Sequence, residues 1–263
     1  MAAARRPAPG PLAAFVLHSW DWSETSLIVE LFTRDRGRVA VVAKGAKRPY
    51  SQLRAVLVPF QRLQAQVGRA HADESDEVLP LRGAERSEGP PMPAGAALFS
   101  GFYLNELLIK LLARLDPHPA LWDAYAEAVA RLQGRDESGL QPVLRAFELT
   151  LLREIGVLPD LHQVTLTVQA VQDEVRYTLH PEAGVVATAL DGGLQGRQLV
   201  ALEAGLASGQ GDALRAAVGP CAAALRAPLR EVLHYHLGSP RLSTRQVMAE
   251  LQRLLTPDTS RPS

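Results

Sequence analysis

The hydrophobic period changes sharply at Pro90-Pro91-Met92-Pro93, and that change limits what the chain can fold into. Before it, apolar residues come in short runs rich in β-branched and aromatic types, as in Ser-Leu-Ile-Val-Glu-Leu-Phe-Thr from Ser26 to Thr33. After it, Leu104, Leu107, Leu108, Leu111, Leu112 and Leu115 recur at spacings of three and four, the stripe of an amphipathic helix. A chain written this way is α+β, strands first and helices after.

The strand-forming part resolves into pieces. Residues 13–18 read as one strand and 26–33 as the next. Arg34-Asp35-Arg36-Gly37 is a turn, because Asp tolerates turns and Gly supplies positive φ. Residues 38–43 return as the second arm of a hairpin, followed by the basic loop Lys44-Gly45-Ala46-Lys47-Arg48-Pro49. Strand character resumes from Val56 to Val67, with an edge or bulge at Pro59, and one or two more strands fit between Glu77 and Ala84. Five short strands in about 70 residues predict a small barrel of OB type over 12–86. An Ala- and Pro-rich tail, disordered and unlike a signal peptide, precedes it over 1–11. A linker follows over 87–95, then a helical domain over 96–255 and a flexible tail over 256–263. Within the helical domain Pro117 and Pro119 stop the first helix, Leu121 to Leu132 forms the second, and Gly156 and Pro159 end a third that carries Leu140, Val143, Leu144, Phe147 and Leu151. Residues 161–190 read as a small β insert, with strands at Val164–Val168 and Val175–Leu179. Helices at about 196–207, 212–237 and 243–255 close the chain, the last opening on a Ser243/Gln246 capping box.

Catalytic chemistry has no candidate constellation. There is no phosphate-cradling Gly-x-x-x-x-Gly-Lys-Ser/Thr loop, no His-Glu-x-x-His and no Gly-x-Ser-x-Gly. His234 and His236 stand two apart, a spacing that does not bring helical side chains together. The acidic run at 73–77 lacks the Gly-centred pattern of a calcium loop and reads as a solvated segment. Cys221 is the only cysteine, so no internal disulfide can form, which fits a reducing compartment; its apolar neighbours make it a packing residue. No apolar run reaches the ~20 residues of a membrane span. The expectation is a non-enzyme with no metal, no cofactor and no membrane partner.

Charge is informative by position alone, since 28 basic and 28 acidic residues cancel overall. Residues 1–70 hold 11 Lys/Arg against four acids, which points to an anionic partner for the barrel. The richest stretch contains Arg34, Arg36, Arg38, Lys44, Lys47 and Arg48 with one acid, Asp35. These six are the candidate nucleic-acid contacts, forming one continuous positive track, since Lys and Arg neutralise phosphates and release counterions. Glutamate at Arg38 and Lys44 is expected to weaken strand binding and leave the fold intact. Trp20, Trp22 and Tyr50 lie nearby in sequence. Aromatic faces can stack bases, although the plainer reading has the tryptophans plugging the barrel end. On the third helix Leu144, Phe147 and Leu151 form an apolar stripe beside Arg145 and Arg153. Such a stripe is either core or a groove for a short acidic-hydrophobic peptide. The surrounding residues 71–196 hold nine Lys/Arg and 19 Asp/Glu, so an acidic ligand would depend on local arginines.

Several segments together resemble the bacterial RecO recombination mediators. They are Ala14-Phe15-Val16-Leu17-His18-Ser19, Trp22-Ser23-Glu24-Thr25-Ser26, Gly37-Arg38-Val39 leading to Val42-Ala43-Lys44-Gly45-Ala46, Ser100 through Leu108, Leu144-Arg145-Ala146-Phe147-Glu148-Leu149, Gly196-Arg197-Gln198-Leu199 and Leu237-Gly238. The likeness runs in order over about residues 12–255. It implies an OB-fold followed by a helical domain, and annealing of single strands. It implies displacement of single-strand binding protein so that RecA loads, with RecR as partner, by a cytoplasmic, nucleoid-associated protein that is a monomer alone. DNA contacts on the barrel map to Arg38 and Lys44, then Lys47 and Arg48. Docking of the acidic tail of single-strand binding protein maps to Leu144, Arg145 and Phe147. Many members carry a four-cysteine zinc knuckle in the insert; residues 161–190 here contain no cysteine, so no zinc is expected and packing alone should hold the insert. The alternative is an adaptor whose barrel binds protein or RNA.

Overall fold

The computed structural model describes residues 10–68, 78–133, 137–238, 242 and 244. The N-terminal tail up to residue 9, the acidic run at 73–77, the helix expected at 243–255 and the tail beyond it lie outside these described residues, apart from Thr244. The chain forms two compact units. One joins the residues up to Met92 with Leu112–Ala130; the other joins Pro93–Leu111 with the residues from Arg131 onward.

The first unit is a closed five-stranded barrel of strand order β1-β2-β3-β5-β4. Its strands are β1 (Leu12–Asp21), β2 (Leu27–Thr33), β3 (Gly37–Ala43), β4 (Arg62–Val67) and β5 (Leu79–Arg86), with the short helix α1 (Gln52–Val56) between β3 and β4. All pairings are antiparallel except β3 with β5. Alternate residues fill the interior: Leu12, Ala14 and Val16 from β1, Val29 and Leu31 from β2, Val39, Val41 and Ala43 from β3. The outward-facing sides of β1 and β2 are largely apolar as well, because Phe15, Leu17 and Phe32 are also fully buried on the outer wall. Two-sided burial explains why these strands read as near-continuous apolar runs. One expectation fails here. Val56 ends a helix, and the strand begins only at Arg62, after a turn in which Phe60 takes φ 67° and donates its N–H to Val16 O at 3.0 Å. Pro59 therefore precedes the strand.

The outer wall is covered by α3 (Pro119–Arg131), which the sequence places with the other helices. Its Trp122 and Tyr125 rings stand 5.2 and 5.1 Å from the Phe15 ring, and the Trp122 indole N–H donates to Phe32 O at 3.1 Å. Burial pushes the Tyr125 hydroxyl pKa well above its ordinary value. An apolar helical stripe shows that a face is buried; it does not show against what.

The second unit contains α2 (Ala96–Leu111), α4 (Glu137–Glu154), α5 (Gly196–Ala207), α6 (Gly211–Val218) and α7 (Ala222–Leu237), with a small sheet of order β7-β6-β8. Its strands are β6 (Arg176–His180), β7 (Gly184–Ala187) and β8 (Leu194–Gln195). The single long helix expected over 212–237 is broken into α6 and α7 by a 3-10 turn at Gly219–Cys221, where Pro220 lacks the amide a helix needs. Val164–Val168 is not a strand. It is a loop closed by the Gln163–Ala170 bridge, in which Val168 takes φ 57°. Packing is not its only support: Thr165 donates its N–H to Val185 O at 3.1 Å, and its hydroxyl accepts the Val185 N–H at 2.8 Å.

Candidate nucleic-acid interface

The register of β2 on β3 decides which of the sequence-predicted cations can act together. Thr33 pairs with Gly37 at one end and Leu27 with Ala43 at the other. The first pair closes the turn that holds Arg34 and Arg36; the second opens onto the loop that holds Lys44, Lys47 and Arg48. Seven residues of strand lie between, roughly 20 Å at ~3.4 Å per residue. The continuous track expected from Arg34 to Arg48 is thus split between two ends of the barrel.

At the first end the charges are largely spent on the protein itself. Arg34 makes a bidentate pair with Asp123, Nε to Oδ1 at 3.2 Å and Nη2 to Oδ2 at 2.9 Å, which raises its pKa. Arg36 is half-buried beside the turn. Arg38 is 9% exposed, and its Nε donates to Glu30 Oε1 at 2.8 Å. Glu30 is fully buried and also receives Arg114, Nη2 to Oε2 at 3.0 Å. The Leu115 N–H donates to Arg38 O at 2.9 Å, fastening this segment along β3. Gly37, at φ 64°, admits the Asp116 carbonyl where a Cβ would overlap it. Arg38 is therefore a wall residue whose guanidinium is turned to Glu30. Glutamate at position 38 would set a second carboxylate against the buried Glu30 with Arg114 as their one shared cation, so that exchange should cost the barrel stability, against the expectation that the fold stays intact. A signal was present in the sequence: Glu30 sits within an apolar strand run, and a buried carboxylate needs a cation.

At the second end the cations are displayed. Lys47 staples two loops together: its N–H donates to Thr25 O at 3.0 Å, and its Nζ reaches Asp21 Oδ2 at 2.9 Å and Ser23 O at 3.1 Å. The turn it grips is closed on itself, with the Trp22 and Ser23 N–H groups on Ser26 O and the Ser26 N–H on Ser23 Oγ. Gly45 takes φ 75°, and the Arg48 side chain passes 3.6 Å from where its Cβ would be. Lys44 and Arg48 are exposed and, among the described residues, make no ion pair. Arg54 on α1 is a third such cation that sequence reasoning counted but did not place in the site. Backbone bonds from Ser51 to Arg48 and from Arg54 to Ser51 carry the chain from the loop to that helix.

The tryptophans do not plug the barrel. Its interior is already filled by aliphatic side chains, and Trp20 is 41% and Trp22 66% exposed, with Tyr50 fully exposed. Trp20 stands edge-on to His18 at 4.5 Å, and partial burial there lowers the His18 pKa.

In the second unit the expected peptide groove is absent from the residues named for it. Leu144, Arg145 and Phe147 are 7%, 3% and 2% exposed, and Arg145 Nη2 binds Glu148 at 2.7 Å, whose carboxylate also accepts the Tyr103 hydroxyl at 2.6 Å. These side chains are packed inside the second unit and line no open groove.

Comparison with known proteins agrees with this architecture. Residues 12–77 match the family model described as the recombination protein O N terminal, and residues 92–180 match the recombination protein O C terminal. The DNA repair protein RecO of Verminephrobacter eiseniae is 51% identical over 257 residues, 97% of this chain and all of that relative. The chain belongs to the RecO family. The DNA repair proteins RecO of Acidovorax ebreus and Delftia acidovorans are 48% and 47% identical, covering 96% and 97% of this chain and 100% of each relative. The barrel of this chain is the family's N-terminal OB-fold. Residues 161–190 hold no thiol for a four-cysteine zinc knuckle, and among the described residues no group of three or more His, Cys, Asp or Glu is placed to share a metal. Cys221 lies elsewhere, 2% exposed, its thiol pKa pushed up to about 11 by burial. Among the described residues no helix is long and apolar enough to cross a membrane.

Proposed function

We propose that this chain, a DNA repair and recombination protein of the RecO family, binds single-stranded DNA at the barrel end that carries Lys44, Lys47 and Arg48, anneals complementary strands, and helps replace single-strand binding protein with RecA. The observation that carries this reading is the pair of loops stapled by Lys47, from which Lys44 and Arg48 project without an ion pair among the described residues. Cations held this way cover strand phosphates with little ordering cost, and the released counterions drive association. Two strands whose phosphates are neutralised repel each other less and pair. No step requires catalysis or fuel from this chain. Arg34 and Arg36 contribute as a second, weaker cationic end.

Family membership supports the partners: single-strand binding protein through its acidic tail, RecR, and RecA indirectly, on nucleoid DNA in the cytoplasm, with this chain a monomer when alone. Tail docking has to use residues other than Leu144, Arg145 and Phe147. The test is annealing of two labelled complementary strands coated with single-strand binding protein. Acceleration by this chain is the expected result. No acceleration, with intact binding to RNA or to a protein partner, would establish the adaptor reading instead.

A further inference from the structure

Three of the four strongly exposed aromatic rings among the described residues, Trp20, Trp22 and Tyr50, belong to the barrel end that carries the unpaired cations. Large aromatic surface is costly to leave in water, and a cluster of it marks a contact site. We infer that Trp22 and Tyr50 are base-stacking residues, so that this end of the barrel selects unpaired bases over duplex. The inference rests on the DNA reading above and specifies the substrate class of the same site.

The geometry supplies what stacking needs. Trp22 opens the turn between β1 and β2, and that turn is held by three hydrogen bonds onto Ser26 and Ser23. Tyr50 follows Pro49 at the end of the loop between β3 and α1. Lys47 fastens the second loop to the first, through its N–H to Thr25 and its Nζ to Asp21 and Ser23. The two rings are therefore presented from one preorganised edge, next to Lys44 and Arg48. Cations on such an edge meet phosphates, and the rings meet the faces of bases. Every base has a π face, so stacking is tolerant of sequence. A duplex hides those faces inside its stack and offers this site phosphates alone. Trp20 lies within β1, its ring edge-on to His18.

The test uses the full chain and three ligands of equal length: an oligothymidylate, an abasic sugar–phosphate strand, and a blunt duplex. Wild-type protein should bind the thymidylate most tightly. Trp22→Ala and Tyr50→Ala should each weaken thymidylate binding by about fivefold or more, the lower bound for loss of one stacked base. Neither should change affinity for the abasic strand. In a Trp20→Phe background, Trp22→Phe should restore affinity relative to Trp22→Ala while removing most of the ligand-induced change in tryptophan emission, because the one tryptophan left, Trp122, is buried. Equal wild-type affinity for thymidylate and abasic strands, or equal weakening of both by Trp22→Ala, overturns stacking and leaves phosphate binding standing. Failure of wild-type protein to bind any of the three overturns the DNA reading itself.

Discussion

Replacing Glu30 by alanine should destabilise the barrel unit. The Glu30 carboxylate is fully buried, and it neutralises Arg38, whose side chain is 11% exposed, and Arg114, which is 39% exposed. Removing one partner of a buried ion pair costs about 3–5 kcal/mol, because the remaining charge is stranded. Arg114 can turn to solvent, so its share is small. Arg38 cannot, and its loss sets the estimate near the lower limit, about 3 kcal/mol. That is a large part of the ~5–15 kcal/mol by which domains are stable. The assay is urea unfolding followed by Trp122 emission in a Trp20→Phe/Trp22→Phe background, since Trp122 packs on Phe15 in the same unit. Glu30→Met with Arg38→Met should be far milder than Glu30→Ala, because neither charge is then left alone. A Glu30→Ala cost below about 1 kcal/mol would refute the assignment of Arg38 to the wall and return it to the candidate interface.

Gly37→Ala should destabilise the same unit by more than about 1 kcal/mol, measured by the same unfolding curve, since the position combines φ 64° with an approach by the Asp116 carbonyl. Arg34→Ala should leave the unfolding curve nearly unchanged despite its bidentate geometry, because its pair with Asp123 is solvent-exposed. In the insert, Thr165→Val should cost about 1 kcal/mol by leaving the Val185 N–H without its acceptor, and metal chelators should leave the melting temperature of the wild-type chain unchanged. Cys221 should resist alkylation at pH 8 until the second unit unfolds, because a thiol with its pKa pushed up to about 11 stays protonated there; rapid labelling of native protein would contradict this.

The barrel and the helices were legible because period is a local property. Alternation at 27–33 and 37–43, with a Gly turn between, specifies a hairpin, and the leucine spacing after Pro93 specifies a helix. The membership of α3 was not legible, because Trp122 and Tyr125 look the same whether they meet another helix or the Phe15 and Phe32 wall. The site was half legible for a related reason. Sequence proximity joined Arg34 to Arg48, whereas a hairpin sends its turn and its open end in opposite directions. Val164–Val168 misled because alternation of Val, Thr and Leu also suits a clasped loop whose hydrogen bonds come from Thr165. Arg145 misled because a long cation beside an apolar stripe looks like a rim until Glu148 is seen to bury it.

The most direct measurement is the slope of log affinity for single-stranded DNA against log salt concentration, for the wild-type chain and for Lys44→Glu/Arg48→Glu. A falling line for the wild type is expected, with the slope of the double variant smaller by roughly 1.4, the contribution of two phosphates at about 0.7 each. A flat wild-type line, or a variant line of unchanged slope and height, would contradict phosphate recognition at this end of the barrel.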